Sequence, residues 1–124
     1  MHFDREIKSA IGAHGLWRTH LLSAIKSGYS EYTPAQVRQE HLCSFGQWLE
    51  TVEDPTVRDS PEFQNCVTVH RRFHAVTASV LKLAVSGKKE AAREAVDIGG
   101  EFANASMEFT TAMLHWSLSV PAPG

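Results

Sequence analysis

The sequence predicts an all-α fold, a four-helix bundle with three long helices and a short, broken second element. Three observations carry this. Apolar residues recur at alternating spacings of four and three through three separate segments. Helix-opening cap-then-proline pairs stand at Thr33-Pro34 and Ser60-Pro61. No segment alternates cleanly between apolar and polar residues as a half-buried strand would.

The first helix is expected from about Phe3 to Ser27. Phe3, Ile7, Ala10, His14, Trp17 and Leu21 lie on one stripe, and Gly28 closes the helix as a C-cap. Thr33 and Pro34 open the second element, and Gln36 completes a capping box with Thr33. Gly46, inside HLCSFGQWLET, argues for two short helices here rather than one. The stretch VEDPTVRD reads as a polar loop. A third helix follows from Ser60-Pro61 to about Ser86, where Gly87 stops it. It carries one stripe of Phe63, Val67, His70, His74, Thr77 and Leu81, and a second of Cys66, Val69, Phe73, Val76 and Val80. The last helix begins near Lys88, with Ala91, Ala95, Ile98, Phe102, Ala105, Phe109, Ala112 and Trp116 in register; Gly99-Gly100 is its weak point. Residues 1–120 read as a single domain and residues 121–124 as a disordered tail.

Composition narrows the function classes. The 124 residues suffice for one domain with a real core. A net charge of -2 with scattered Lys and Arg provides no basic footprint for nucleic acid or an anionic membrane. No apolar run reaches spanning length and no secretory signal is present, so the expected compartment is the cytoplasm. There, Cys43 and Cys66 are expected as thiols or metal ligands rather than as a disulfide.

The chemistry centres on histidine. His70 and His74 stand four apart in VTVHRRFHAV and share a helix face. Such a pair arises by chance in a chain with seven histidines. Here, however, both fall on the buried stripe of one helix and His14 falls on that of another. Burying three imidazoles in one core leaves polar nitrogens without water, and one metal ion satisfies all three. Cys43, in an apolar helical pattern, would complete a tetrahedral zinc shell with no open position, which favours a structural or sensing metal over a catalytic one. Cys66 is the rival thiol, and His20 and His115 are rival imidazoles. His41 is too close to Cys43 in sequence to share its face, and His2 is terminal. Trp17, Phe45, Trp48 and Phe73 are expected to pack around the site, and Gly46 to permit close backbone approach near Cys43.

The segment HLCSFGQWLE, with its Cys-x-Phe-Gly-x-Trp-Leu pattern, resembles the signature of the chemoreceptor zinc-binding domain family. AIGAHGLWRTHL resembles that family's first-helix motif, a His followed three residues later by Trp. VHRRFHAV resembles its His-x-x-x-His motif, and the later SGKKEAAREAV, a Gly and then an Ala-rich helix, also fits. The resemblance covers nearly the whole chain. It implies Zn2+ as the cofactor, His14, Cys43, His70 and His74 as its ligands, and Cys66 as a small buried hydrophobe. It further implies a homodimer, and a regulatory module beside chemotaxis-receptor signalling regions or diguanylate cyclase domains, acting on a fused or separate signalling partner.

Three functions follow as expectations. The first is a cytoplasmic zinc-binding regulatory module whose occupancy modulates bacterial signalling. The second is a redox sensor in which hypochlorite or another oxidant attacks the ligand Cys43, an oxidation that some members of the resembling family are associated with; a purely structural zinc domain stands behind both. The third, an enzyme, is disfavoured, because His-Arg-Arg-Phe-His lacks the carboxylate base of a zinc hydrolase.

Overall fold

The computed structural model describes residues 3–119; the tail expected at 121–124 lies outside them, as does His2. The regular structure of the described chain is all helical: α1 (Phe3–Ser27), α2 (Pro34–Arg38), a 3-10 turn (Glu40–Leu42), α3 (Ser44–Glu50), α4 (Pro55–Arg58), α5 (Pro61–Val85), α6 (Lys89–Val96) and α7 (Glu101–Ser119). Among the described residues there is no strand. The fold is the all-α bundle that the periodicity predicts.

α5 is the central element. It packs against α1, α7 and α2. Its two stripes are both turned inward: Phe63, Cys66, His70, Phe73, His74, Val76, Thr77, Val80 and Leu81 are buried. α1 buries Ile7, Ala10, His14 and Leu21 against it, and α7 buries Phe102, Ala105, Phe109, Ala112 and Trp116. Burial at roughly 25 cal/mol per Å² of apolar area is what holds these helices together, since no described ion pair is buried.

The caps follow the sequence closely. Thr33 and Gln36 form a reciprocal capping box, the Ser60 hydroxyl accepts from the Phe63 N–H, and Gly28 and Gly87 end α1 and α5 with positive φ. Cys66 is fully buried and its S–H donates to the Ala112 carbonyl, tying α5 to α7.

Three expectations need correction. The last helix is two: the chain turns at Asp97–Gly100, with Gly99 at φ 85° and Gly100 packed so closely on the Glu94 and Ala95 carbonyls that no Cβ would fit. The turn resets the register, so Ala92 and Val96 are buried in α6, while Ala91 is exposed and Ile98 stands fully in solvent. The stretch VEDPTVRD is not all loop, because Asp54 caps the four-residue helix α4. Gly46 is not the break in the second element. It lies inside α3, and the chain departs from α-helix at Gln39–Cys43 instead.

Candidate metal centre

α1 contributes His14, α5 contributes His70 and His74, and the junction before α3 contributes Cys43. One ligand atom from each lies within 4.8 Å of every other. His14 Nε2 is 3.1 Å from His70 Nε2 and 3.3 Å from His74 Nε2, and Cys43 Sγ is 3.3 Å from His70 Nε2 and 3.9 Å from His14 Nε2. A tetrahedral ion with ordinary zinc–nitrogen and zinc–sulfur bonds sets edges of about 3.3 Å between nitrogens and about 3.6 Å between nitrogen and sulfur. The two nitrogen–nitrogen edges lie at or just below the first value, and the two nitrogen–sulfur edges bracket the second.

The hydrogen bonds fix which ring atoms face inward. His14 Nδ1–H donates to the Ala10 carbonyl at 2.8 Å, and His74 Nδ1–H donates to the Val37 carbonyl at 2.8 Å. Both rings are therefore committed to the tautomer whose Nε2 carries a lone pair. Two lone pairs 3.3 Å apart repel unless a cation lies between them. A proton is a poor candidate. Burial, with the neighbouring His74 charge adding to it, pushes His14 down to about 4, and burial with repulsion from His74 and His14 pushes His70 down to about 2. Burial lowers His74 as well, against the pull of the Val37 carbonyl and the Glu40 charge. The donor set, three neutral imidazoles and one thiol, suits a borderline-soft divalent ion such as zinc.

Cys43 departs from the helical core position expected of it. It is the N-cap of α3, with extended backbone at φ -81° and ψ 151°, and it is half-buried. Burial raises its thiol above the usual range, but its Sγ accepts the Gly46 N–H at 3.3 Å at the positive end of a helix, which favours thiolate. Gly46 is the close approach anticipated from the sequence: a Cβ there would overlap the Glu40 carbonyl oxygen. Gly46→Ala is expected to push the Glu40–Leu42 turn off α3 and destabilise the protein by about 1–3 kcal/mol; thermal unfolding of the metal-loaded protein measures this.

Aromatic rings wall the centre. Phe45, Phe73 and Phe109 pack against the His14 ring at centroid distances of 6.1, 5.2 and 4.6 Å. Trp17 packs with His20 and Tyr32 and borders the approach to His14 and Cys43, and Trp48 lies one turn beyond Phe45. His20, His41 and His115 are exposed and outside the cluster, and Cys66 faces α7. Sequence reasoning missed Phe109, the Ala10 and Val37 carbonyls, and Glu40, which pairs with Arg71 at 3.0 Å beside the site. The Ala10 carbonyl had a sequence signal, since it lies one helical turn before His14.

A comparison with curated proteins finds no match, and neither does one with solved structures. A family model, the chemoreceptor zinc-binding domain, matches residues 14–81. The matched span is more than half of the chain and takes in His14, Cys43, His70 and His74, so this chain belongs to the chemoreceptor zinc-binding domain family.

Proposed function

We propose that this chain is a zinc-responsive regulatory module in which His14, Cys43, His70 and His74 together hold one Zn2+ in a closed shell. The observation that supports this best is the facing pair of Nε2 lone pairs on His14 and His74, each ring locked by a carbonyl behind it. The family is a zinc-binding regulatory one rather than a catalytic one. A bound zinc ion supplies a cross-link among α1, α5 and the segment before α3. Its loss leaves buried imidazoles facing one another, so occupancy biases the bundle between two packings. In this reading residues 1–120 act as one domain in the cytoplasm, as a homodimer. The domain controls a chemotaxis-receptor or diguanylate cyclase type of output on a fused or separate signalling partner. Among the described residues no helix is long and apolar enough to cross a membrane.

Elemental analysis of protein purified without added metal tests the site. One zinc per chain is expected in the parent and a clear loss in Cys43→Ser. Equal zinc in both would remove Cys43 from the shell. An output of the proposed kind would change on chelation in the parent and not in Cys43→Ser.

A second reading rests on access to the thiol. A cleft of about 450 Å³, bordered by Trp17, Tyr32 and Leu42, reaches Cys43 and His14. A small oxidant such as hypochlorite could attack Sγ there, remove one ligand and weaken the metal. Oxidant treatment should then release zinc in step with Cys43 oxidation. A reduced Cys43 with zinc retained would end this reading.

A further inference from the structure

α3 connects the candidate metal centre to a second cluster at another end of the bundle. Cys43 caps α3 through the Gly46 N–H, and Gly46 is seated against the Glu40 carbonyl without room for a side chain. The turn at Glu40–Leu42 and α3 are therefore packed as one body, with Sγ at its inner end. Phe45, in the first turn of that body, meets the His70 ring edge-on at 5.1 Å. Trp48 stacks on Phe45 at 5.9 Å and 24°. On its other side Trp48 meets Phe3 at 5.6 Å and Trp116 at 5.9 Å, and these two rings meet each other at 5.9 Å. Phe3 opens α1 and Trp116 lies near the end of α7. A hydrogen bond of 2.9 Å from Ser117 Oγ to Asp4 Oδ1 ties the same two helix ends. Phe3 stands about 16 Å along α1 from His14, too far for the metal to touch directly.

We propose that α3 is a lever: the metal state at Cys43 sets how firmly the first turns of α1 pack on the last turn of α7, with Trp48 as the positioning residue between them. This rests on the assignment of Cys43 as a zinc ligand. The element with two positions is the Glu40–Glu50 body. With Sγ held by zinc, Trp48 is wedged between Phe45 and the Phe3–Trp116 pair. With Sγ released, the body is held by apolar contacts and the partly exposed Glu40–Arg71 pair, and the wedge loosens. Coupling is reciprocal, so packing at the helix ends strengthens zinc binding by the same factor that zinc strengthens the packing.

Amide hydrogen exchange, read by NMR on the full chain with zinc and with chelator, tests the lever. In the parent, zinc should slow exchange at Ile7–Ile11 at least about tenfold more than at Ala92–Val96 of α6. In Trp48→Ala the zinc content should stay at one per chain while that excess falls below about threefold, and Trp48→Phe should restore it. An excess that persists in Trp48→Ala, or a uniform effect of zinc in the parent, overturns the lever. If Trp48→Ala does not fold, Phe3→Ala decides. Its zinc affinity should fall about fivefold or more although Phe3 touches no ligand, and an unchanged affinity overturns the proposal. Zinc content is measured separately, so a parent without zinc sinks the site itself, whereas a zinc-loaded parent without the excess sinks only the lever.

Discussion

Replacing His70 with Ala is expected to abolish tight zinc binding. Its ring is 1% exposed, and its Nε2 lies 3.1 Å from His14 Nε2 and 3.3 Å from Cys43 Sγ, so it sits centrally in the donor set. Loss of an outer partner of a metal ligand typically weakens binding roughly 10–100-fold. Loss of the ligand itself should exceed that, and a fall of at least ~100-fold is expected in titration against a competing chelator. Stability separates this from a packing defect. Zinc at about 1,000 times its Kd stabilises a folded site by about 4 kcal/mol. The parent should therefore gain Tm on zinc addition and His70→Ala should gain almost none. His20→Ala, at an exposed ring outside the cluster, should behave as the parent. A zinc-dependent Tm in His70→Ala equal to the parent's would exclude His70 from the site.

Metal-free protein is expected to lose stability on acidification. His14 and His70 are held neutral by burial, His14 at about 4 and His70 at about 2, against an unfolded value of 6.5. Below pH 6.5 the unfolded chain therefore binds more protons than the folded one, and stability falls as pH falls. The contribution is fully present above pH 6.5. Each such histidine removes about 1.4 kcal/mol per pH unit, so the two together remove about 3 kcal/mol per unit until His14 itself protonates near pH 4. Domain stabilities are about 5–15 kcal/mol, so the chelated protein should lose a large share of its stability within this window. Zinc in excess should move the acid midpoint down by about one pH unit, since it binds only the deprotonated set. Helical circular dichroism against pH, with and without chelator, measures both. A chelated protein equally stable at pH 6.5 and pH 4 would contradict the burial of these rings as neutral bases.

What could be read from the sequence follows from which interactions are local. α1 and α5 were legible because straight helices repeat their buried stripe at a fixed period, and His14, His70 and His74 occupy that stripe in the fold as in the pattern. The caps were legible because Thr33, Gln36 and Ser60 act within a few residues of themselves. Cys43 was recognised by its motif, but its conformation was not, because a cap is decided by where the chain leaves one element and enters the next. The periodicity of the last helix misled at Ala91 and Ile98, since the Gly99-Gly100 turn shifts the phase and a stripe drawn through it cannot. The Val37 carbonyl was out of reach. It meets His74 across 37 residues of chain, a pairing set by the packing of α2 on α5 rather than by any local pattern.

X-ray absorption at the zinc edge of protein loaded with one zinc per chain tests the four-ligand shell most directly. The shell proposed here predicts three nitrogen scatterers at about 2.0–2.1 Å and one sulfur at about 2.3 Å, with the sulfur lost in Cys43→Ser. A first shell without sulfur in the parent, or a sulfur that survives in Cys43→Ser, would contradict it.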